Sequence, residues 1–246
     1  MKEITKEIAK DLLKNACDFQ DISLKSRNEV RGTYKKKEKS EENTLRILID
    51  GLIAKIAKEQ TVKKTPKTNE KISYQISLLA SFIRTHFLIS DLFMQGDLIE
   101  TITLIRKQLE SLVRMHEIDE KPLMRLYRKT PNVCNIFKSS GKKIYPKLSE
   151  VAHFGTPEVG ELLKVVETGD LIGPSLIPIY HDYSLACLDL NCFVAIHFLY
   201  WLIEKQIEFH DDFDGILEKQ IFYDILHLAI KLDVIRLPEE ETLKKV

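Results

Sequence analysis

Residues 96–119 read GDLIETITLIRKQLESLVRMHEID, and the periodicity of this stretch decides the fold. Asp97 and Glu100 have the spacing of a capping box, which predicts a helix beginning there. At the helical repeat, Leu98, Ile102, Ile105, Leu109, Leu112, Val113 and His116 fall in one continuous arc, the face that must be buried. Arg106 falls inside that arc. A guanidinium among aliphatic side chains needs a partner, and Glu110, one turn on, is the nearest candidate.

Upstream, Ile72, Ile76, Leu79, Ala80, Ile83 and Phe87 carry a helix to about Met94, closed by Gln95 and Gly96. A turn that short sets its two helices antiparallel, so residues of about 72–94 and 97–118 form a hairpin. Leu45, Leu48, Ile49, Leu52, Ile53 and Ile56 mark another helix, separated from the hairpin by TVKKTPKTNE around Pro66. Ile4, Ile8, Leu12, Leu13 and Ala16 make residues 3–20 an amphipathic helix, followed by SRNEVRGTYKKKEKSEEN, a solvated loop or a helix extension. Downstream, PLMRLYRK reads as one short helix, Pro146 as the first turn of another, and GDLIGPSLIP as a loop. From about 179 to 210 a long helix follows, apolar all round between Leu185 and Ile203 and interrupted by Asp189, Asn191 and His197. Such a helix is central to a bundle or contributes to a homodimer interface. The DDFDG turn and a helix from Ile216 to about Leu232 close the chain. The expected fold class is all-α: a helical bundle built on the hairpin, one domain over 1–246, with residues 1–60 as two N-terminal helices packing on or extending from the core.

The 246 residues are long enough to hide roughly 70–75% of their unfolded surface in such a bundle. Lys+Arg and Asp+Glu both total 37, so no global field steers the chain toward nucleic acid. The basic cluster at Lys35, Lys36, Lys37 and Lys39 has only Tyr34 beside it, so nucleic-acid binding is not supported beyond a weak basic N-terminal segment. Residues 1–71 hold 18 basic and 12 acidic side chains and residues 179–246 hold 6 and 13, a polarity expected to pair the two ends within one fold. Cys17, Cys134, Cys187 and Cys192 make no C-x-x-C motif, which fits a reduced, cytoplasmic setting. The N-terminus lacks the apolar run of a signal peptide, and Phe193–Ile203 is too short to span a bilayer, so no membrane association is expected.

Ser149 and His153 lie at i and i+4 on the helix after Pro146, as Arg106 and Glu110 do on theirs. The four form a candidate cluster in which His153 is the general acid or base and Arg106 and Glu110 tune it. The same groups can equally satisfy one another and fix helix register. No metal or other cofactor is expected: H-E-x-x-H is missing, Glu150 and His153 supply Glu-x-x-His once, and Asp211, Asp212 and Asp214 lack the later ligands of a calcium loop. His86 and His197 read as core histidines with a satisfied nitrogen.

A helix reading L-x-R-x-x-x-E, then Y-x-x-L-S-x-x-x-H, here Leu104, Arg106 and Glu110 with Tyr145, Leu148, Ser149 and His153, resembles a group of all-helical bacterial domains of uncharacterised activity. More distantly the pattern is similar to HEPN-type bundles, many of which serve toxin–antitoxin or abortive-infection systems as metal-independent ribonucleases. Those nucleases carry an Arg followed by His after four to six residues. The chain departs from that pattern, since Arg84 and His86, like Arg114 and His116, are two apart. The expected function is therefore a binding or regulatory module, with a protein partner, set by the resemblance in bacterial stress or phage defence. The alternative is a metal-independent hydrolase or ribonuclease using His153 with Arg106 and Glu110.

Overall fold

The computed structural model describes residues 6–60, 69–163, 165–168 and 171–236. Seven α-helices run in chain order among them: α1 Lys6–Lys37, α2 Ser40–Gln60, α3 Glu70–Gln95, α4 Leu98–Glu120, α5 Cys134–Ala152, α6 Tyr183–Phe209 and α7 Ile216–Lys231. The architecture is all-α, as the periodicity predicts. Val165–Thr168 and Leu171–Pro174 pair antiparallel as a small hairpin, β1 and β2, the second strand lying in the GDLIGPSLIP segment expected to be a loop. The short helix expected in PLMRLYRK reduces to one 3₁₀ turn, Leu123–Arg125.

The α3–α4 hairpin forms because both ends of its turn are specified. Asn69 starts α3 by accepting from the Ile72 N–H at 2.9 Å. Gly96 ends it in the left-handed region, φ +87°, where its N–H and that of Asp97 return to carbonyls of the last turn. The capping box expected from Asp97 and Glu100 does not form. Asp97 occupies the cap position, but its carboxylate pairs with Arg27 of α1, and a full positive charge competes better for it than a neutral N–H.

α6 is the central helix. Val194, Ala195, Phe198, Leu199 and Leu202 have no accessible surface. Phe198 stacks on Phe82 of α3 with ring centroids 3.8 Å apart. The apolar surface between 185 and 203 is largely spent inside the chain, leaving Tyr200 exposed, and the helix begins at Tyr183 rather than near 179. α3 and α6 are both long and apolar enough to cross a bilayer, and the relevant window of α6 is 67% buried within the bundle. Asp119 ties the lower end together: it accepts from Gln75 of α3 at 2.7 Å and Trp201 of α6 at 3.1 Å, and pairs with Lys205 at 2.7 Å.

α2 packs between α6 and α7. His86 of α3, 1% exposed, bonds Asp50 of α2 through Nε2 at 2.7 Å, giving the core histidine its partner. Ion pairs Lys37–Asp182, Lys55–Glu218 and Lys231–Glu41 join the basic N-terminal to the acidic C-terminal part within one chain.

The N-terminal helix differs most from expectation. Residues 6–37 form one helix, so the charged segment after residue 20 extends it. The buried residues are Val30 and Tyr34, in that charged segment. Leu12 and Leu13, on the apolar face of the predicted 3–20 helix, are 59% and 66% exposed.

Candidate functional site

α4 and α5 pack side by side, and the half-buried polar cluster lies along their seam. Arg106 and Glu110 are one turn apart on α4 with side chains 19% and 26% exposed. α5 starts where Asn132 accepts from the Cys134 N–H at 3.1 Å. It is broken at Lys138, whose φ of 44° and ψ of −121° lie outside the helical region. Its regular stretch resumes after that residue, so Pro146 lies inside the helix rather than in its first turn, on a side where Lys142, Lys143 and Lys147 are also exposed. His153 is the C-cap, its N–H returning to the Ser149 carbonyl at 3.1 Å.

Arg106 gathers the cluster. Its Nη1 donates to His153 Nε2 at 2.8 Å and its Nη2 to the Tyr145 hydroxyl at 3.3 Å. The Tyr145 hydroxyl in turn donates to Glu110 Oε1 at 2.5 Å. Arg106 Nε lies 3.2 Å from the same oxygen without a hydrogen bond, so that contact is an ion pair in which the N–H misses the oxygen. The guanidinium also lies 5.3 Å from the centroid of the Tyr145 ring. The structure thus brings together Arg106, Glu110 and His153 and adds Tyr145. Ser149 contributes the backbone carbonyl that caps His153; among the described residues no hydrogen bond joins its hydroxyl to the cluster.

The chemistry of this cluster is set by which group donates. Arginine only donates, so in this contact Nε2 of His153 is the acceptor. The hydrogen bond it donates to Tyr145 holds Arg106 above the usual arginine range, and Glu110 adds to the effect. Desolvation raises the Tyr145 hydroxyl, helped by Glu110, so Tyr145 remains a donor. His153 is exposed to solvent, yet its Nε2 lone pair, which a general base needs, is already engaged.

The deeply buried arginine is Arg114 rather than Arg106. It is 6% exposed, donates through Nη2 to the Lys129 carbonyl and pairs with Glu117, itself 9% exposed, at 3.2 Å. The Arg114–Glu117 spacing, i and i+3, is the signal that sequence reasoning passed over.

A second site opens beyond the break in α5. A cleft of about 810 Å³ lies between α5, α6 and the segment after α7. Its wall includes Ile136, Phe137, Ile144, Phe193 and Val234; its polar groups are Asp189, His197, two serines, Lys138 and the mutually paired Asp233 and Arg236. The His197 ring stands edge-on to Phe137 and Phe193, with centroids 5.0 and 4.9 Å apart. Burial pushes its imidazole down to about 4, so at neutral pH it is uncharged. Asp189 stays exposed at the rim, and desolvation of its carboxyl, with Glu42 nearby, raises it to about 6. Lys138 belongs to the same wall, which places a helix break with positive φ at the cleft. Sequence reasoning marked Asp189 and His197 as interruptions of an apolar helix, but α5 lies some 50 residues earlier in the chain and periodicity carried no sign that the two would meet.

Among the described residues no group of three or more His, Cys, Asp and Glu side chains converges as a metal ion would require. Comparison of the chain with protein-family models, with curated proteins and with solved structures finds no match.

Proposed function

We propose that this chain is a binding module whose α5–α6 cleft takes a small, mainly apolar molecule carrying an amine or another N–H donor. The observation that carries this reading is the cleft wall: aromatic and aliphatic side chains from two helices, with the Asp189 carboxylate at the rim. Its volume of about 810 Å³ falls within the range of small-molecule sites. An amine placed against the ring faces would meet Asp189 while its apolar body covers Phe137 and Phe193. In the bacterial stress or phage-defence setting that the family resemblance implies, such a module would sense or sequester its ligand.

Benzylamine and benzoate, matched in shape and opposite in charge, test this by chemical-shift titration. Benzylamine should shift resonances of Phe137, Phe193 and His197, and Asp189→Asn should weaken it several-fold while benzoate stays unbound. Equal binding of both, or of neither, overturns the assignment.

A hydrolase or ribonuclease using His153, Arg106 and Glu110 is the second reading, favoured by the exposure of His153 beside a guanidinium and a phenol. Against it stands the mutual satisfaction of these groups, which leaves no free base. RNA cleavage that disappears in His153→Ala, with melting temperature unchanged, would install the enzyme reading in place of the binding one.

A further inference from the structure

The first five turns of α1 project from the bundle: every residue from Lys6 to Ile22 is exposed. Beyond it, Ser26, bonded to the Pro178 carbonyl, and Arg27, paired with Asp97, anchor the helix to the bundle. A helix segment this exposed, taken by itself, is marginal in water. Yet one side of it carries Leu12, Leu13, Phe19 and Ile22, each more than half exposed, with Leu24 continuing the stripe.

The spacing of that stripe is heptad. Ala9, Ala16 and Ser23 recur every seven residues, and Leu12 and Phe19 stand three residues after the first two. Leu13 and Gln20 flank this seam on one side, Asn15 and Ile22 on the other. Lys10, Asp11, Lys14, Asp18 and Asp21 fall outside seam and flanks; Lys6, on the Leu13 and Gln20 flank near one end, is the one charge there, and an antiparallel pairing sets the two copies of it at opposite ends.

We propose that the projecting half of α1 is a dimerisation arm, pairing antiparallel with the same segment of a second copy of this chain. In the register that uses residues 6–22, Ala9 of one copy faces Phe19 of the other, and Leu12 faces Ala16. Small then meets large in every layer. A parallel, in-register pair would set Ala9 on Ala9 and Ala16 on Ala16, leaving voids between layers of crowded leucine and phenylalanine. Sliding the antiparallel pair one heptad further would drive the second copy's first turn over Ser26–Glu29, where the bundle begins. Burying Leu12, Leu13, Phe19 and Ile22 at ~100 Å² each, with Ala9 and Ala16 at ~50 Å² each, removes ~1,000 Å² in total over two copies, the lower bound of a specific interface, so the dimer is of moderate affinity. A bilayer surface is the poorer occupant, because residues 6–25 balance Glu7, Asp11, Asp18 and Asp21 against Lys6, Lys10, Lys14 and Lys25, without the basic excess such helices carry.

Sedimentation of the full-length protein across the micromolar range should show a monomer–dimer equilibrium. Leu12→Glu with Phe19→Glu should shift it to monomer with the melting temperature of the bundle unchanged, because both side chains lie outside the core. In a background of Cys17→Ser and Cys134→Ser, Asn15→Cys should form a covalent dimer on mild oxidation. Antiparallel pairing sets position 15 beside its own counterpart, whereas parallel pairing sets the two on opposite sides. A monomer at every concentration overturns the proposal, as does a dimer that survives the double Glu variant or fails to crosslink through Asn15→Cys. Binding to phosphatidylserine vesicles that the Glu pair abolishes, in a protein monomeric in solution, would assign the arm to membrane and overturn it equally.

Discussion

Removing Arg106 separates a structural clamp from a catalytic group. In Arg106→Ala three attachments disappear together: the 2.8 Å bond to His153, the 3.3 Å bond to Tyr145 and the 3.2 Å ion pair with Glu110. Hydrogen bonds to charged groups contribute about 1.5–3 kcal/mol each when fully buried, and exposed ion pairs about 0–1 kcal/mol. Arg106 and Glu110 are 19% and 26% exposed, so water replaces part of each contact, and Glu110 keeps the Tyr145 donor at 2.5 Å. The net loss expected is ~1–2 kcal/mol. For a chain of this length that corresponds to a fall in melting temperature of roughly 2–8 °C. Tyr145→Phe combined with Arg106→Ala in a double-mutant cycle should show a coupling of ~0.5–1 kcal/mol, because the hydroxyl and the guanidinium share Glu110. Calorimetry on the four proteins measures both quantities. An Arg106→Ala variant with unchanged melting temperature and no coupling to Tyr145 would refute the clamp.

Arg114→Met should cost more, ~3 kcal/mol, because it strips a buried cation from Glu117 and leaves the Lys129 carbonyl without its donor; a loss no greater than that of Arg106→Ala contradicts this. Gly96→Ala should destabilise by ~1–2 kcal/mol in chemical denaturation, since φ is +87° and a Cβ there would sit 3.2 Å from both the Ile179 carbonyl and Val30. The two cleft groups should have opposite pH signatures. Asp189, raised to about 6 from an ordinary value of about 3.9, binds its proton more tightly in the folded state, so its contribution to stability declines as pH rises from about 4 to 6; Asp189→Asn should remove that decline. His197, lowered to about 4 from about 6.5, binds its proton more tightly when unfolded, so stability is lost as pH falls through that window, and His197→Asn should flatten the loss. Melting temperatures of wild type and both variants across this range measure the two slopes, and parallel curves for all three would refute the assignments.

What periodicity can report explains which parts of this protein were legible. The α3–α4 hairpin and the central α6 follow from apolar spacing and one short turn, because a helical face and a chain reversal are local properties. The same reasoning placed Arg106 with Glu110, an i, i+4 relation internal to one helix. It read Arg106 as the buried charge, however, when Arg114 is. A helical wheel orders residues around an axis but does not say how far each neighbour covers them, and here the loop before α5 meets Arg114 through the Lys129 carbonyl. The apolar stripe of residues 3–20 marks a helix packing on or extending from the core without deciding which; Leu12 and Leu13 face water, and Tyr34, amid lysines, packs against Phe93 with centroids 5.5 Å apart.

The sequence by itself determined the helices, their approximate limits, the hairpin and the balance of charge between the two ends, all of which depend on interactions within a few turns or on composition. Only the tertiary structure decided that Asp97 bonds Arg27 instead of capping its own helix, that Tyr145 completes the Arg106 cluster while the Ser149 hydroxyl is not bonded into it, and that Phe137 meets His197 across a cleft. Each of these contacts joins residues tens of positions apart, and which partner a side chain finds there depends on how whole helices pack, which no local spacing encodes.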